Sequence, residues 1–495
     1  MPRHYLMLLL LWLPLGLRAQ LAPTQPKRLE LKLEPSYSDV QVVPLPDSTV
    51  VLFVENEPSN SFKIEYRFQH FNRELQLARE AVVEVPTEFD LRFACAETPY
   101  AYALFQSGYI QSRFQVFRLD LRNGQTQGFS FDTKLVNDLY DLEVLNGKLF
   151  ATVQVAQHLT VMHIDMDGEE FRLLPSVYEP LPTQLTFLAD SATERVGYVL
   201  SQTNGRLSRL QVKQLSARGQ LLASQFIQAE SGRGLVTAEL SPGDSVRRLL
   251  TGTYTLRDPR YSQGLFATDL SGGPTARPPL RFYDFTVLKH FFDFMKPRRA
   301  ERLRARSAQR RAAGRDLRLR YRILTHRMLP FDDGYVLMAE IYYPRYRYDS
   351  YGLVLFAPNR TFDGYRSSHA IVCGFDRNGT LLWDNTFVLK NAERPTLTET
   401  VRARPLPDGR RLALAYVDED KIRYKIVDRT APSPNDLHVP LATNTQGLRE
   451  KAVSTTRTGI LPWYGSRFLA YGYQRVRPEQ GSPREVFFLN VVAFE

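Results

Sequence analysis

Guanidinium groups are the chemistry this sequence concentrates. Residues 296–322 hold twelve basic side chains (Lys296, Arg298, Arg299, Arg302, Arg304, Arg306, Arg310, Arg311, Arg315, Arg318, Arg320, Arg322) and two acidic ones (Glu301, Asp316), so they carry +10 of the chain's formal +11. Forked, permanently charged donors at this density recognise carboxylate, phosphate or sulfate oxygens. The remainder is close to neutral, so an electrostatic partner must be met at this one place. An ordinary solvated face balanced by acidic patches elsewhere is the competing reading, although such a concentration exceeds what solubility requires. The contacts expected to carry recognition are Arg298, Arg299, Arg302, Arg304, Arg306, Arg310 and Arg311. A second candidate lies in 342–366, where Tyr342, Tyr343, Tyr346, Tyr348, Tyr351 and Tyr365 interleave with Arg345, Arg347, Arg360 and Arg366. Tyrosine and arginine combine large contact area with polar ends, as interfaces favour. Tyr346, Arg347 and Tyr348 are the expected contacts, set against a hairpin whose tyrosines merely cover its own neighbour.

Catalytic and metal-binding signatures are missing from the sequence. It holds no His-Glu-x-x-His, no Gly-x-Ser-x-Gly and no phosphate loop. His158 and His163 are five apart on a strand pattern, hence on opposite faces. The run 165–170 (DMDGEE) lacks the ligand spacing of a calcium loop and reads as a hairpin turn. No catalytic residue, metal site or cofactor is assigned. Carboxylates gathered from distant parts of the chain would escape such a search, which keeps a hydrolase as the alternative to a binding protein.

The elements that must position these groups are read from internal repeats. A strand, tight turn, strand unit recurs at 44–48 (PLPDS), Thr98-Pro99, Asn146-Gly147, Asp190, 241–244 (SPGD), 332–334 (DDG), 405–409 (PLPDG) and 463–465 (WYG). Gly, Asn, Asp and Pro hold the turns because these need a positive or a fixed φ. A second join, Asp-x-x-Gly or a relative, alternates with it near Asn72, Asp120, Asp165, Arg218, Asp269, Asp376 and Asp428. Two alternating hairpins make a four-stranded meander, one propeller blade. The expected fold is all-β: an eight-bladed β-propeller of roughly 50 residues per blade, with seven blades as the alternative. The last blade is one strand short, and the strictly alternating 28–34 (RLELKLE) is expected to supply it and close the ring, removing exposed edges.

Two insertions interrupt the repeat. In 282–316, Phe285, Leu288, Phe292 and Met295 recur at helical spacing, and 298–313 is rich in helix formers with Gly314 as a stop. This reads as a helical arm whose aromatic half docks on the body while its cationic half stands in solvent. The other insertion is 342–366. The segment 1–19, with a basic start and a short apolar core, is expected to be a signal peptide, leaving one propeller domain over 20–495. Cys95 and Cys373 fall on well-separated blades and are expected to be buried free thiols rather than a disulfide.

The stretches YDFTVLKHFFDF, YRILTH, AEIYYPRY and FDGYRSSHAIVCGFDRNGTLLWDN, together with the basic arm, resemble a group of secreted proteins of the Bacteroidota with no assigned activity. The resemblance covers the middle third, implies an envelope address and a shared insert, and brings no catalytic residues. The expectation is therefore an exported, non-catalytic protein of the periplasm or cell envelope, or of the cell exterior, docking to an anionic membrane surface or an acidic envelope protein. Nucleic acid matches the charge but not the export signal, and the sequence carries no signal for oligomeric state. The alternative is a propeller hydrolase acting on a glycan or another envelope substrate through channel carboxylates.

Overall fold

Eight antiparallel sheets follow one another along the chain in a computed structural model, which describes residues 22–494 except 37, 57–61, 175–183, 204–207, 230–231, 245, 274–277, 349–359, 430–432, 436 and 445–449. The expected signal peptide and the segment 349–359 of the second insertion lie outside the described residues. The blades span 39–86, 89–132, 136–173, 184–227, 234–284, 322–394, 402–440 and 450–493. The first seven are each a meander of four strands, to which the sixth adds two short ones, and the eighth span supplies three. The first-type turns join first to second strands and the second-type turns join third to fourth, so the alternation read from the sequence is the blade plan.

The eighth blade takes its outer strand from the other end of the chain. Thr24–Leu31 pairs antiparallel with Arg484–Ala493, with Leu29 opposite Leu489 and Arg28 opposite Asn490. The strand starts and ends a few residues before the expected 28–34 and performs the expected closure. The wheel is thus an eight-bladed β-propeller.

Its core is divided among the seams between blades. Second strands are buried on both faces and so read as continuous apolar runs; Val50–Glu55 (VVLFVE) and Leu249–Thr255 (LLTGTYT) are almost wholly inaccessible. Outer strands such as Leu77–Pro86 are half exposed. Phe53, Phe68 and Val85 of the first blade pack on Ala103 and Phe105 of the second. The pattern continues around the ring until Leu469, Phe487 and Leu489 of the eighth meet Val50 and Leu52 of the first. Turns are stitched the same way: Glu97 accepts from the amides of Asn146 (3.0 Å) and Gly147 (2.8 Å), and the Trp463 indole donates to the Thr49 carbonyl at 3.1 Å. Cys373 is buried and Cys95 half-buried; both are free thiols.

Candidate functional site

In an antiparallel meander the second-to-third turn and the crossover to the next blade lie at the same end of the strands. The basic insertion occupies the crossover from blade five to blade six, and the 342–366 insertion extends the second-to-third hairpin of blade six. Both insertions therefore stand on one face of the wheel, side by side.

The aromatic half of the first insertion is docked, as expected, but is not helical. Phe285, Leu288, Phe291 and Phe292 are buried in the seam between blades five and six, while 285–295 runs as a chain of turns. A distant carboxylate captures two amides a helix would use, and two more at the start of the segment have their own acceptors. The Asp384 carboxylate takes the N–H groups of Lys289 (3.0 Å) and His290 (2.6 Å), Asp284 takes that of Thr286 (2.8 Å), and the Gln263 carbonyl takes that of Phe285 (3.2 Å). The Phe294 ring stacks on His369 of blade six with centroids 3.9 Å apart, fixing the insertion against the base of the neighbouring hairpin.

The helix is Pro297–Ala312. Proline at its first position suits a place where no amide partner exists. At the other end Gly314, with φ +68°, allows Arg315 to donate to the Arg310 carbonyl (2.9 Å) and Gly314 to that of Arg311 (3.0 Å), a paired C-terminal cap. Contrary to the expected free-standing arm, the helix lies down on the body. Ala300 and Ser307, seven apart, are buried, and Leu303 joins the seam core. The Ser307 hydroxyl donates to Thr286 Oγ1 at 2.8 Å and Arg311 donates to the same oxygen at 3.0 Å. Arg304 donates to the Lys289 carbonyl at 2.7 Å and lies over the Phe292 ring. Two of the seven expected contact arginines, Arg304 and Arg311, thus hold the helix in place. The other five, Arg298, Arg299, Arg302, Arg306 and Arg310, are exposed, and among the described residues none pairs with a carboxylate.

The second insertion is a long ribbon of Gly334–Tyr348 paired with Arg360–Phe375. Two of its arginines are already matched: Arg345 pairs with Glu393 and with Asp363 (3.2 Å), and Arg347 with Asp363 (3.2 Å). Its rings form a ladder of edge contacts running Tyr342, Tyr365, Phe362, Tyr346. Arg347, an expected contact, is thus partly neutralised within the ribbon. The backbone of Tyr348 pairs with Arg360 at its described end.

A third cluster, in the central channel, was not found by sequence reasoning. Arg327 reaches from blade six to Asp141 (3.3 Å) and Glu143 of blade three. It borders a cavity of about 610 Å³ walled by the inner strands of blades one to three, with Val42, Ala94, Leu142 and Val144 among its lining. Thr325 donates to buried Glu239 of blade five at 2.8 Å, and His326 lies 3.2 Å from buried Glu340. Burial pushes the Glu239 carboxyl up to about 7; the Asp141 charge acts in the same sense, while Thr325 and His326 oppose it. Glu340 is equally buried, which by itself raises its pKa, yet His326 and the Val401 amide hold it below the usual range. The channel therefore holds carboxylates, as the alternative reading requires, each engaged by a neighbour.

No protein-family model matches the chain, and no curated protein matches it. Solved structures resemble it in fold. They include the polysaccharide lyase Uly1 (7% identity, TM-score 0.41, 81% of this chain and 89% of that one). Prolyl oligopeptidase B from Galerina marginata matches at 8% identity and TM-score 0.42, over 90% of this chain and 56% of that one. Quinohemoprotein alcohol dehydrogenase from Comamonas testosteroni matches at 10% and 0.43, over 94% and 76%. The chain spans about half the length of the prolyl oligopeptidases it matches.

Proposed function

We propose that the protein is an exported, non-catalytic docking module of the cell envelope, seated on a polyanionic surface by the outer face of its cationic helix. One observation carries this reading: five arginines project from a helix whose backbone is locked to the body by Ala300, Ser307, Arg304 and Arg311, and they meet no acid among the described residues. A rigid helix presents its charges without the ordering cost of a free arm. Each arginine near an anionic surface contributes about 1 kcal/mol, a contribution that salt screens.

The test is binding of the native protein to immobilised polyglutamate and to anionic vesicles. Arg302→Gln with Arg306→Gln should weaken both by roughly thirtyfold, about 2 kcal/mol, and raised salt should abolish the difference. Equal binding by native and double variant at low salt defeats the reading.

A second reading, a hydrolase using channel carboxylates, draws on Glu239, whose carboxyl is pushed up to about 7 by burial, with the Asp141 charge acting in the same sense. A buried carboxyl raised towards neutrality is the usual general acid of such sites. It predicts release of reducing ends from an envelope glycan by the native protein, lost in Glu239→Gln and in Asp141→Asn; no release by the native protein removes it.

A further inference from the structure

We infer that the anionic surface is a lipid bilayer and that the ribbon of blade six is the second anchor, inserting Tyr343, Tyr346 and Phe362 at the level of the headgroups while the helix holds their charge. This rests on the docking reading above and names its partner. Three observations lead to it. The helix and the ribbon emerge from the same face and share a base, where Phe294 stacks on His369. Arg345 and Arg347 of the ribbon are matched by Asp363 and Glu393, so much of what these strands add to the face is aromatic surface. These rings are part exposed, Tyr346 (37%) and Phe362 (48%) on one face of the ribbon and Tyr343 (40%) on the other, with Val287 beside Thr286 62% exposed.

An acidic protein would match the arginines of the helix by charge, without needing the part-exposed rings beside them. A bilayer takes both. Tyrosine has an apolar body and a polar tip, which suits the boundary between acyl chains and headgroups, and rings there anchor proteins whose cations sit among phosphates. The ribbon's matched ion pairs also lower the cost of bringing it close to the apolar region, since unpaired charge would have to be desolvated.

Vesicles of phosphatidylcholine with 30% phosphatidylglycerol, and of phosphatidylcholine alone, are the probes, with immobilised polyglutamate as the protein-like control. Native protein should sediment with the anionic vesicles. Tyr343→Ser, Tyr346→Ser and Phe362→Ser combined should weaken that binding at least tenfold and leave binding to polyglutamate unchanged, whereas Arg302→Gln with Arg306→Gln should weaken both. Thermal unfolding confirms that the triple variant is folded. Independently, Tyr346→Trp should add a tryptophan emission that shifts to the blue on anionic vesicles. Native binding to polyglutamate but not to vesicles overturns the lipid assignment and leaves the helix reading standing. Binding to neither overturns both. Unchanged vesicle binding by the triple variant, or an unshifted Tyr346→Trp emission, overturns the ribbon's role.

Discussion

Arg248→Met should lower the stability of the wheel by about 3–5 kcal/mol, because it strands a carboxylate in the core. The Arg248 and Asp190 side chains are 1% and 3% exposed and join blades five and four through a contact of 3.1 Å. The guanidinium also donates to Thr193 Oγ1 (3.0 Å) and to the Asp244 carbonyl (3.0 Å), and Asp190 accepts the Gly243 amide at 2.9 Å. Gly197 leaves the room, since a Cβ there would lie 2.7 Å from Leu240 and 3.0 Å from the guanidinium. Burial lowers the Arg248 pKa, and the Asp190 charge is what chiefly resists that. Methionine fills the volume and supplies no charge, so Asp190 keeps one amide and loses its counter-ion. Removing both charges, as Arg248→Met with Asp190→Leu, should recover most of the loss, because a buried pair replaced by apolar groups is near neutral. Urea unfolding measures both. A single-variant loss below about 1 kcal/mol would show that the seam relaxes to admit water.

The wheel was legible in the sequence because its turns are local. Pro44 to Ser48, Asn146-Gly147 and Asp376 to Gly379 declare their backbone conformation with a few residues, and the alternation of two turn types sets the blade plan. Closure by the N-terminal strand was legible for a counting reason: the last blade lacked a strand and the strictly alternating 28–34 was spare. The helical spacing of Phe285, Leu288 and Phe292 misled because a period says which residues are buried but not who takes the amides. Asp384, nearly a hundred residues away, takes two of them. Sequence showed that Arg298 to Arg311 is rich in charge, whereas the division into Arg304 and Arg311 that hold and five that face outward depends on Thr286 and Lys289, partners no helical wheel includes. The channel cluster was invisible for the same reason. Arg327 and Asp141 lie 186 residues apart, and neither sits in a motif.

That cluster yields the second large effect, in the pH dependence of stability. Glu239 is pushed from an ordinary 4.5 up to about 7 in the folded protein. Below the unfolded value both states hold the proton and its stabilising effect is complete. As pH climbs the unfolded chain releases the proton first, so stability falls until the folded group also ionises, and the total lost is about 3 kcal/mol. The groups facing Glu239 are Thr325 and His326 from blade six, Asp141 from blade three and Thr251 on the adjoining strand. Glu239→Gln keeps the carbonyl oxygen that accepts from Thr325 and removes the ionisation. Native and variant should therefore be equally stable near pH 4, and the variant should be the more stable by about 3 kcal/mol at pH 8, with the divergence developing between those values. Unfolding midpoints across that range decide it. A difference independent of pH would mean that Glu239 ionises in the folded wheel as readily as in the unfolded chain, with Arg327 or water reaching it across the channel. The channel would then be open to solvent at this depth, and the acid and base assignments of the hydrolase reading would fall with it.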